Sequence, residues 1–184
     1  MGKNFWMVVE SPEKFEIMRD GGLTLYGLGR KYRKRAERMQ PEDRVLFYIS
    51  KIRKWTATAT ISSDSFVDKT PIFGPEYNGE LFPHRVRLKP NIILPSNNYI
   101  EAGLIAPRLE YLKRWIPEEW PLAFFETLHL IPQRDFKLIE SEMRRMTPKH
   151  DRGNVNRHRG RRKFRGQKFH HNKISRNPPK APNV

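Results

Sequence analysis

The 184-residue sequence contains no cysteine. That absence excludes a disulfide framework, a thiolate zinc site and a cysteine nucleophile. No apolar run approaches the roughly 18 residues that a membrane-spanning helix needs, so no membrane partner is expected. The opening residues, Met1-Gly2-Lys3-Asn4-Phe5-Trp6, lead straight into a strand-like segment. No apolar stretch with a small-residue cleavage site is found there, and a cytoplasmic location is the expectation. Acids are also scarce. There are 20 Asp and Glu against 36 Lys and Arg, a formal net charge of +16. A surplus of that size favours a polyanionic partner.

The shortage of acids is uneven. Residues 148–184 carry twelve Lys and Arg and one acid, Asp151, whereas residues 1–147 carry 24 basic and 19 acidic side chains. The apolar side chains of 148–184 are only Val155, Phe164, Phe169, Ile174, Ala181 and Val184. So few cannot offset the entropy of ordering the segment, so it reads as a tail disordered when free. Residues 1–147 are long enough for a single core and read as one domain. Within the tail, Arg159, Arg161, Arg162, Lys163 and Arg165 surround Phe164. Such a run can displace counterions from phosphates while a phenyl ring stacks on a base. The bland alternative is a solvated tail that keeps the protein soluble.

Sites for chemistry are missing as well. There is no GxxxxGK[ST] phosphate loop, and the glycines at 22, 27 and 29 fit no dinucleotide fingerprint. His84 and His129 lack metal-ligand spacing and read as structural. Glu118 and Glu119 are adjacent, so on a helix they cannot face each other. His170-His171 sits in the basic tail. No catalytic residue, metal or cofactor is assigned.

Hydrophobic patterning supplies the elements. Phe5-Trp6-Met7-Val8-Val9 reads as a buried strand. Ser11, Pro12 and Glu13 then open a short helix through Met18, closed by Gly21-Gly22. Residues 23–28 are a strand and 30–39 a basic helix. Pro41-Glu42-Asp43 is a turn, and Arg44-Val45-Leu46-Phe47-Tyr48-Ile49 is the clearest strand. Residues 55–61 alternate Thr with Ala and Ile, as a half-buried strand does. Arg85-Val86-Arg87-Leu88 alternates charged and apolar side chains. Residues 107–116 are expected as a helix with Leu109, Leu112 and Ile116 on one face, ended by Pro117 and Pro121. Leu128 and Leu130 suit a last strand. Pro132 starts a helix that gathers Phe136, Ile139 and Met143. Strands first and last, with helices inserted, imply an α+β fold with a curved or closed mixed sheet.

What is present is a basic segment, Arg30, Lys31, Arg33, Lys34, Arg35 and Arg38, close in sequence to many aromatics. Basic surface with aromatic platforms is how proteins hold single-stranded or flipped bases. Trp6 and Phe47 read as core. Tyr26, beside Gly27, stands between core and ligand contact.

Five stretches in order resemble the EVE domain, a branch of the PUA-like superfamily related to YTH domains. They are Phe5-Trp6-Met7-Val8-Val9-Glu10-Ser11-Pro12-Glu13-Lys14-Phe15; Leu25-Tyr26-Gly27-Leu28; Met39-Gln40-Pro41-Glu42-Asp43-Arg44-Val45-Leu46-Phe47-Tyr48; Phe82-Pro83-His84-Arg85-Val86-Arg87-Leu88-Lys89-Pro90; and Lys113-Arg114-Trp115 with Phe124-Phe125 and the run from Ile131. The match is similar to the short prokaryotic members of unknown function. Glu42-Asp43 replaces the family's usual Gly-Asp, and Pro12 stands where the YTH type has a polar residue. The resemblance implies a PUA-like small mixed β-barrel with peripheral helices. It also implies a pocket for a modified, methylated base flipped out of RNA or DNA. By position, Tyr26 would be a cage wall and Gly27 would offer backbone. Glu10 and Ser11 would read the polar edge, and Phe73, Phe82 and Trp115 would supply further walls. The leading expectation is therefore a binding module rather than an enzyme, its partner a nucleic acid gripped through the basic segment and tail. The alternative is a structural RNA-binding protein without a base pocket. A nucleic-acid-processing enzyme ranks last.

Overall fold

The computed structural model describes residues 3–73 and 81–147. The tail, with its five cationic positions from Arg159 to Arg165, lies outside the described residues.

The first apolar run forms β1 (Phe5–Glu10). Ser11 then caps α1 (Pro12–Asp20): its hydroxyl accepts from the Lys14 amide, and Pro12 takes the first helical position. The chain continues through β2 (Leu25–Leu28), a 3-10 turn at Arg30–Tyr32, and a one-turn helix α2 (Arg33–Ala36). Next come β3 (Arg44–Ile49), β4 (Lys54–Ile61), β5 (Phe66–Val67), β6 (His84–Ile93) and β7 (Ile100–Glu101). A one-turn α3 (Ala102–Ile105) and a series of 3-10 turns lead to β8 (Leu128–Leu130) and α4 (Gln133–Met146). Among the described residues no helix is long and apolar enough to cross a membrane.

The strands make one curled, half-barrel sheet in the order β2-β6-β4-β3-β1-β8, with β5 on β6 and β7 on β4. β1 and β3 run parallel, in register from Phe5 opposite Arg44 to Glu10 opposite Ile49. Parallel neighbours need a crossover, and α1, β2 and α2 are that crossover. The other strand pairings among the described residues are antiparallel. Pro90 lies within β6, where it would interrupt a regular ladder. The register of β4 against β6 shifts between Thr58 and Ala59, and Ala59 pairs with Pro90. Proline in sheets concentrates at such irregularities because it has no N–H to donate.

Both faces of the sheet are buried. One core holds Trp6, Val8, Phe15, Tyr26 and Phe47. The other holds Met7, Leu46, Tyr48 and Trp55 beneath Phe136, Ile139 and Met143 of α4. Successive residues of β1 thus feed opposite cores, which is why its sequence is a continuous apolar run rather than an alternating one. The same covering corrects the expectation for β4. Thr56 and Thr58 are fully buried, not solvent-facing, and Thr58 lies against α4, its Oγ1 donating to Glu140 at 3.4 Å.

Other expectations are corrected too. The helix expected over 30–39 is a 3-10 turn plus four α-helical residues. The expected 107–116 helix is a string of short 3-10 turns; Leu109 and Leu112 are buried, but Ile116 is exposed. Pro117 and Pro121 do not end a helix. They lie in an eight-residue 3-10 segment, Pro117–Phe124, with Pro117 at its first position, where no intrahelical amide donor is needed, and Pro121 within it. Pro132 precedes α4 as its cap. The alternation read in residues 85–88 is also broken, because Arg85 is 1% exposed.

Candidate nucleic-acid interface

The end of β1 and the first turn of α1 bring two charges together. Glu10 is the last residue of the strand, and Ser11 starts the helix immediately. Lys14, four residues on, therefore sits above the Glu10 carboxylate, with Nζ to Oε2 at 2.8 Å. Both side chains are almost entirely buried, at 3% and 10% exposure. Tyr26 points inward from β2, and its hydroxyl donates to Glu10 Oε1 at 2.8 Å. Each carboxylate oxygen thus has a partner. Burial and the adjacent carboxylate push the Tyr26 phenol well above its ordinary pKa, so Tyr26 remains a donor at any physiological pH.

The Lys14 ammonium has two further neighbours. It lies 4.1 Å from the Phe82 ring centroid and 4.7 Å from that of Phe73. Those rings meet edge to face, with centroids 5.1 Å apart. A cation on two ring faces with a carboxylate behind it is electrostatically well matched. Gly27 lets Ile72 and Phe82 close over this cluster. A Cβ at Gly27 would stand 2.5 Å from Ile72 Cδ1 and 2.9 Å from the Phe82 carbonyl oxygen.

Arg85 ties Asp68 and Thr70 to Leu81 and Phe82. Its guanidinium donates to Asp68 Oδ2 at 2.8 Å, Thr70 Oγ1 at 3.1 Å, Leu81 O at 3.2 Å and Phe82 O at 3.2 Å, and also to the Thr70 carbonyl. The residues flanking 74–80 are thereby tied to one buried cation.

The structure thus brings together Glu10, Tyr26, Gly27, Phe73 and Phe82 from the expected set. It leaves two out. The Ser11 hydroxyl is used by the Lys14 amide at 3.3 Å. Trp115, 41% exposed, belongs to a separate groove. Sequence reasoning missed Lys14, although its spacing of four from Glu10 was a signal. It also missed Arg85, although the Phe82-Pro83-His84-Arg85 run was in view.

The second region is that groove, about 460 Å³, beside β8 and α2. Its walls include Arg35, Arg38, Trp115, Phe125, Glu126 and His129. All six expected cations of the basic segment, Arg30, Lys31, Arg33, Lys34, Arg35 and Arg38, are exposed. Their roles differ. Arg33 bonds Glu37 at 2.8 Å, and Lys31 lies over the Tyr32 ring. Arg35 donates to the Leu128 carbonyl at 3.0 Å, which fixes its guanidinium at the groove. Tyr32 is buried and anchors the segment. Its hydroxyl donates to Glu126 at 2.8 Å and accepts from the Thr127 amide at 3.1 Å. The hydrogen bond from Tyr32 holds the Glu126 carboxyl below its ordinary pKa.

His129 is buried beneath this wall. Its Nε2 lies 2.7 Å from the Glu126 carbonyl and its Nδ1 2.9 Å from the Tyr111 hydroxyl. A carbonyl only accepts, so Nε2 carries the proton and Tyr111 donates to Nδ1. Burial pushes the His129 pKa down, which keeps the ring neutral and the pair intact.

Comparison with known proteins places this arrangement. The EVE domain family model matches residues 4–115, more than half of the chain. The chain belongs to the EVE domain family. A UPF0310 protein of Pyrococcus abyssi is 23% identical over 147 residues, covering 75% of this chain and 98% of the relative. Among solved structures, a Rhodopseudomonas palustris protein determined by NMR superposes with a TM-score of 0.51 at 15% identity, over 82% of this chain and 99% of that one. The YTH domain of the Zygosaccharomyces rouxii MRB1 protein, solved with N6-methyladenosine RNA, also gives 0.51 at 15% identity, over 76% and 85%. These likenesses establish a shared fold. The family match contains the Glu10–Tyr26 cluster and ends at Trp115, so Phe125, Glu126 and His129 lie beyond it.

Proposed function

We propose that this EVE domain is a nucleic-acid-binding module that takes a methylated base into the Glu10–Tyr26–Phe73–Phe82 cluster. The observation that carries the reading is the place of Lys14. Its ammonium rests on two aromatic faces and a buried carboxylate, the groups a flipped base would use. A base entering the cluster would displace the ammonium from the rings. Glu10 would then accept from the base's exocyclic amine while Tyr26 holds the carboxylate in place. The released Lys14 would remain at the mouth of the site as a phosphate partner. Flipping costs a few kcal/mol, which phosphate contacts from the basic segment and the tail would offset. A single methyl group leaving water is worth only about 1 kcal/mol, so discrimination of several-fold is the scale to expect. That the Z. rouxii relative was solved with methylated RNA is consistent with this reading.

The packed state of the cluster favours a second reading. Ile72 and Phe82 already fill the space beside Gly27, and a protein that binds RNA through its basic surface needs no opening there. Short single-stranded RNA and DNA, plain or carrying N6-methyladenine or 5-methylcytosine, separate the two across a salt series. A preference for one methylated strand that survives high salt, and shrinks in Tyr26→Phe, supports the base reader. Equal binding that falls steeply with salt supports the second reading. Tyr26→Phe is the suitable variant because Tyr26 is fully buried and truncation to Ala would leave a core cavity.

A further inference from the structure

We propose that the Trp115–Phe125 groove is a second binding site, separate from the Glu10 cluster, and that it holds single-stranded RNA. The argument starts from two exposed rings. Phe125 is 88% exposed and Trp115 41%, and both line the same open groove. Large apolar rings left in water beside guanidinium groups are what a base-stacking surface requires.

The charges around the rings identify the occupant. Arg35 and Arg38 form one wall, and exposed Lys113 and Arg114 directly precede Trp115. Arg35 is held in place by the Leu128 carbonyl, so a phosphate meeting it need not order the side chain. This combination fits a polyanion that also presents flat apolar faces. Duplex stacks its bases away from such rings, whereas a single strand offers them.

One acid lines the groove, and it decides between the two single strands. Glu126 accepts at Oε2 from Tyr32, and its carboxylate can accept further donors. Against a phosphate it would only repel. A ribose 2′-hydroxyl donates where deoxyribose has nothing to give, so the carboxylate rewards RNA. The groove volume of about 460 Å³ suits small flat groups such as bases. Most of these walls, Phe125, Glu126 and Leu128 among them, come from residues beyond the matched family segment, so the site is argued from this chain's own side chains.

The experiment uses the full chain and fluorescently labelled unmodified single-stranded RNA of about eight nucleotides, within the span one small domain covers. Anisotropy is read at a salt concentration high enough to suppress non-specific phosphate binding. The variants are Phe125→Ala, Phe125→Leu and Trp115→Ala. All change exposed side chains, and their melting temperatures serve as the folding control. The expected result is weakening of about ten-fold for each ring removed, with Phe125→Leu as weak as Phe125→Ala. DNA of the same sequence and duplex RNA should both bind more weakly than single-stranded RNA.

Three outcomes would overturn the proposal. Wild-type affinity in Phe125→Leu would mean a surface that needs apolar area rather than stacking, as a protein partner does. Equal binding of DNA would remove the role of Glu126. Equal binding of duplex would remove the stacking. The result is distinguishable from the fate of the base-reader proposal, because Phe125→Ala and Trp115→Ala should weaken unmodified and methylated strands alike and leave the ratio between the two affinities, which the Glu10 cluster would set, as it is in the wild type.

Discussion

The two candidate surfaces share ingredients but differ in state. At the end of β1, aromatic rings, a carboxylate and a cation are folded onto one another, and the cation is the chain's own Lys14. Beside β8, rings, a carboxylate and guanidiniums stand around open space. The difference follows from what each carboxylate faces. Glu10 is 4% exposed, and a buried carboxylate needs a partner at once. Glu126 is exposed, and beyond the Tyr32 hydroxyl water can serve it. On the base-reader proposal the buried cluster must therefore carry a placeholder in its free state, while a surface groove needs none.

The largest expected effect attacks the closed side of this contrast. Glu10→Ala leaves the Lys14 ammonium buried without its carboxylate and Tyr26 without an acceptor. A loss of about 3–5 kcal/mol in urea unfolding is expected. A loss below 1 kcal/mol would show that the cluster is wet and that Lys14 is not a placeholder.

Gly27→Ala sharpens the same point with a smaller change. The added methyl would meet Ile72 and the Phe82 backbone, and overpacking of this kind costs about 1–3 kcal/mol. Gly103→Ala is the control. A Cβ there meets nothing within 4 Å, and α3 should gain about 0.4–1 kcal/mol from the stiffer residue. Comparable stability in the two variants would mean that Ile72 yields freely and the cluster is not tightly closed.

The smallest effect concerns the groove wall. Burial lowers the His129 pKa in the folded state below the ordinary value of 6.5. Below that ordinary value the unfolded chain binds the proton more readily than the folded one. The stabilising contribution is therefore complete above pH 6.5 and is lost as pH falls through the folded pKa. Wild type should lose more stability between pH 7.5 and 5.5 than His129→Asn does. Parallel pH profiles would place His129 in water, and the Tyr111–His129 wall would no longer back the groove.

Much of the fold was legible because its signals are local. Continuous apolar runs marked β1 and β3, and the Ser11-Pro12-Glu13 cap marked α1. The 3.6-residue spacing of Phe136, Ile139 and Met143 marked α4, and all three are buried. The misses arose where tertiary contacts override a local pattern. Thr58 reads as a surface residue until Glu140 of α4 is placed above it. Arg85 reads as solvent-facing until a loop supplies it with acceptors. Ile116 fits a helical stripe, but the chain before it follows 3-10 turns that rotate it outward. For the site, the resemblance grouped Glu10, Tyr26, Gly27, Phe73 and Phe82, which the structure brings into one cluster. It placed Trp115 with them because position along a chain does not reveal which end of a sheet a loop reaches.

The most direct test of the central claim is the side-chain ammonium signal of Lys14 in a nitrogen-15 NMR spectrum. Buried against Glu10, Phe73 and Phe82, it should be slow to exchange and shifted by the rings in the free protein. Saturation with the preferred methylated oligonucleotide should abolish that protection, and the unmodified strand should need a several-fold higher concentration to do so. A Lys14 signal unchanged by a bound methylated strand would contradict the account, since the ammonium would never have left the rings.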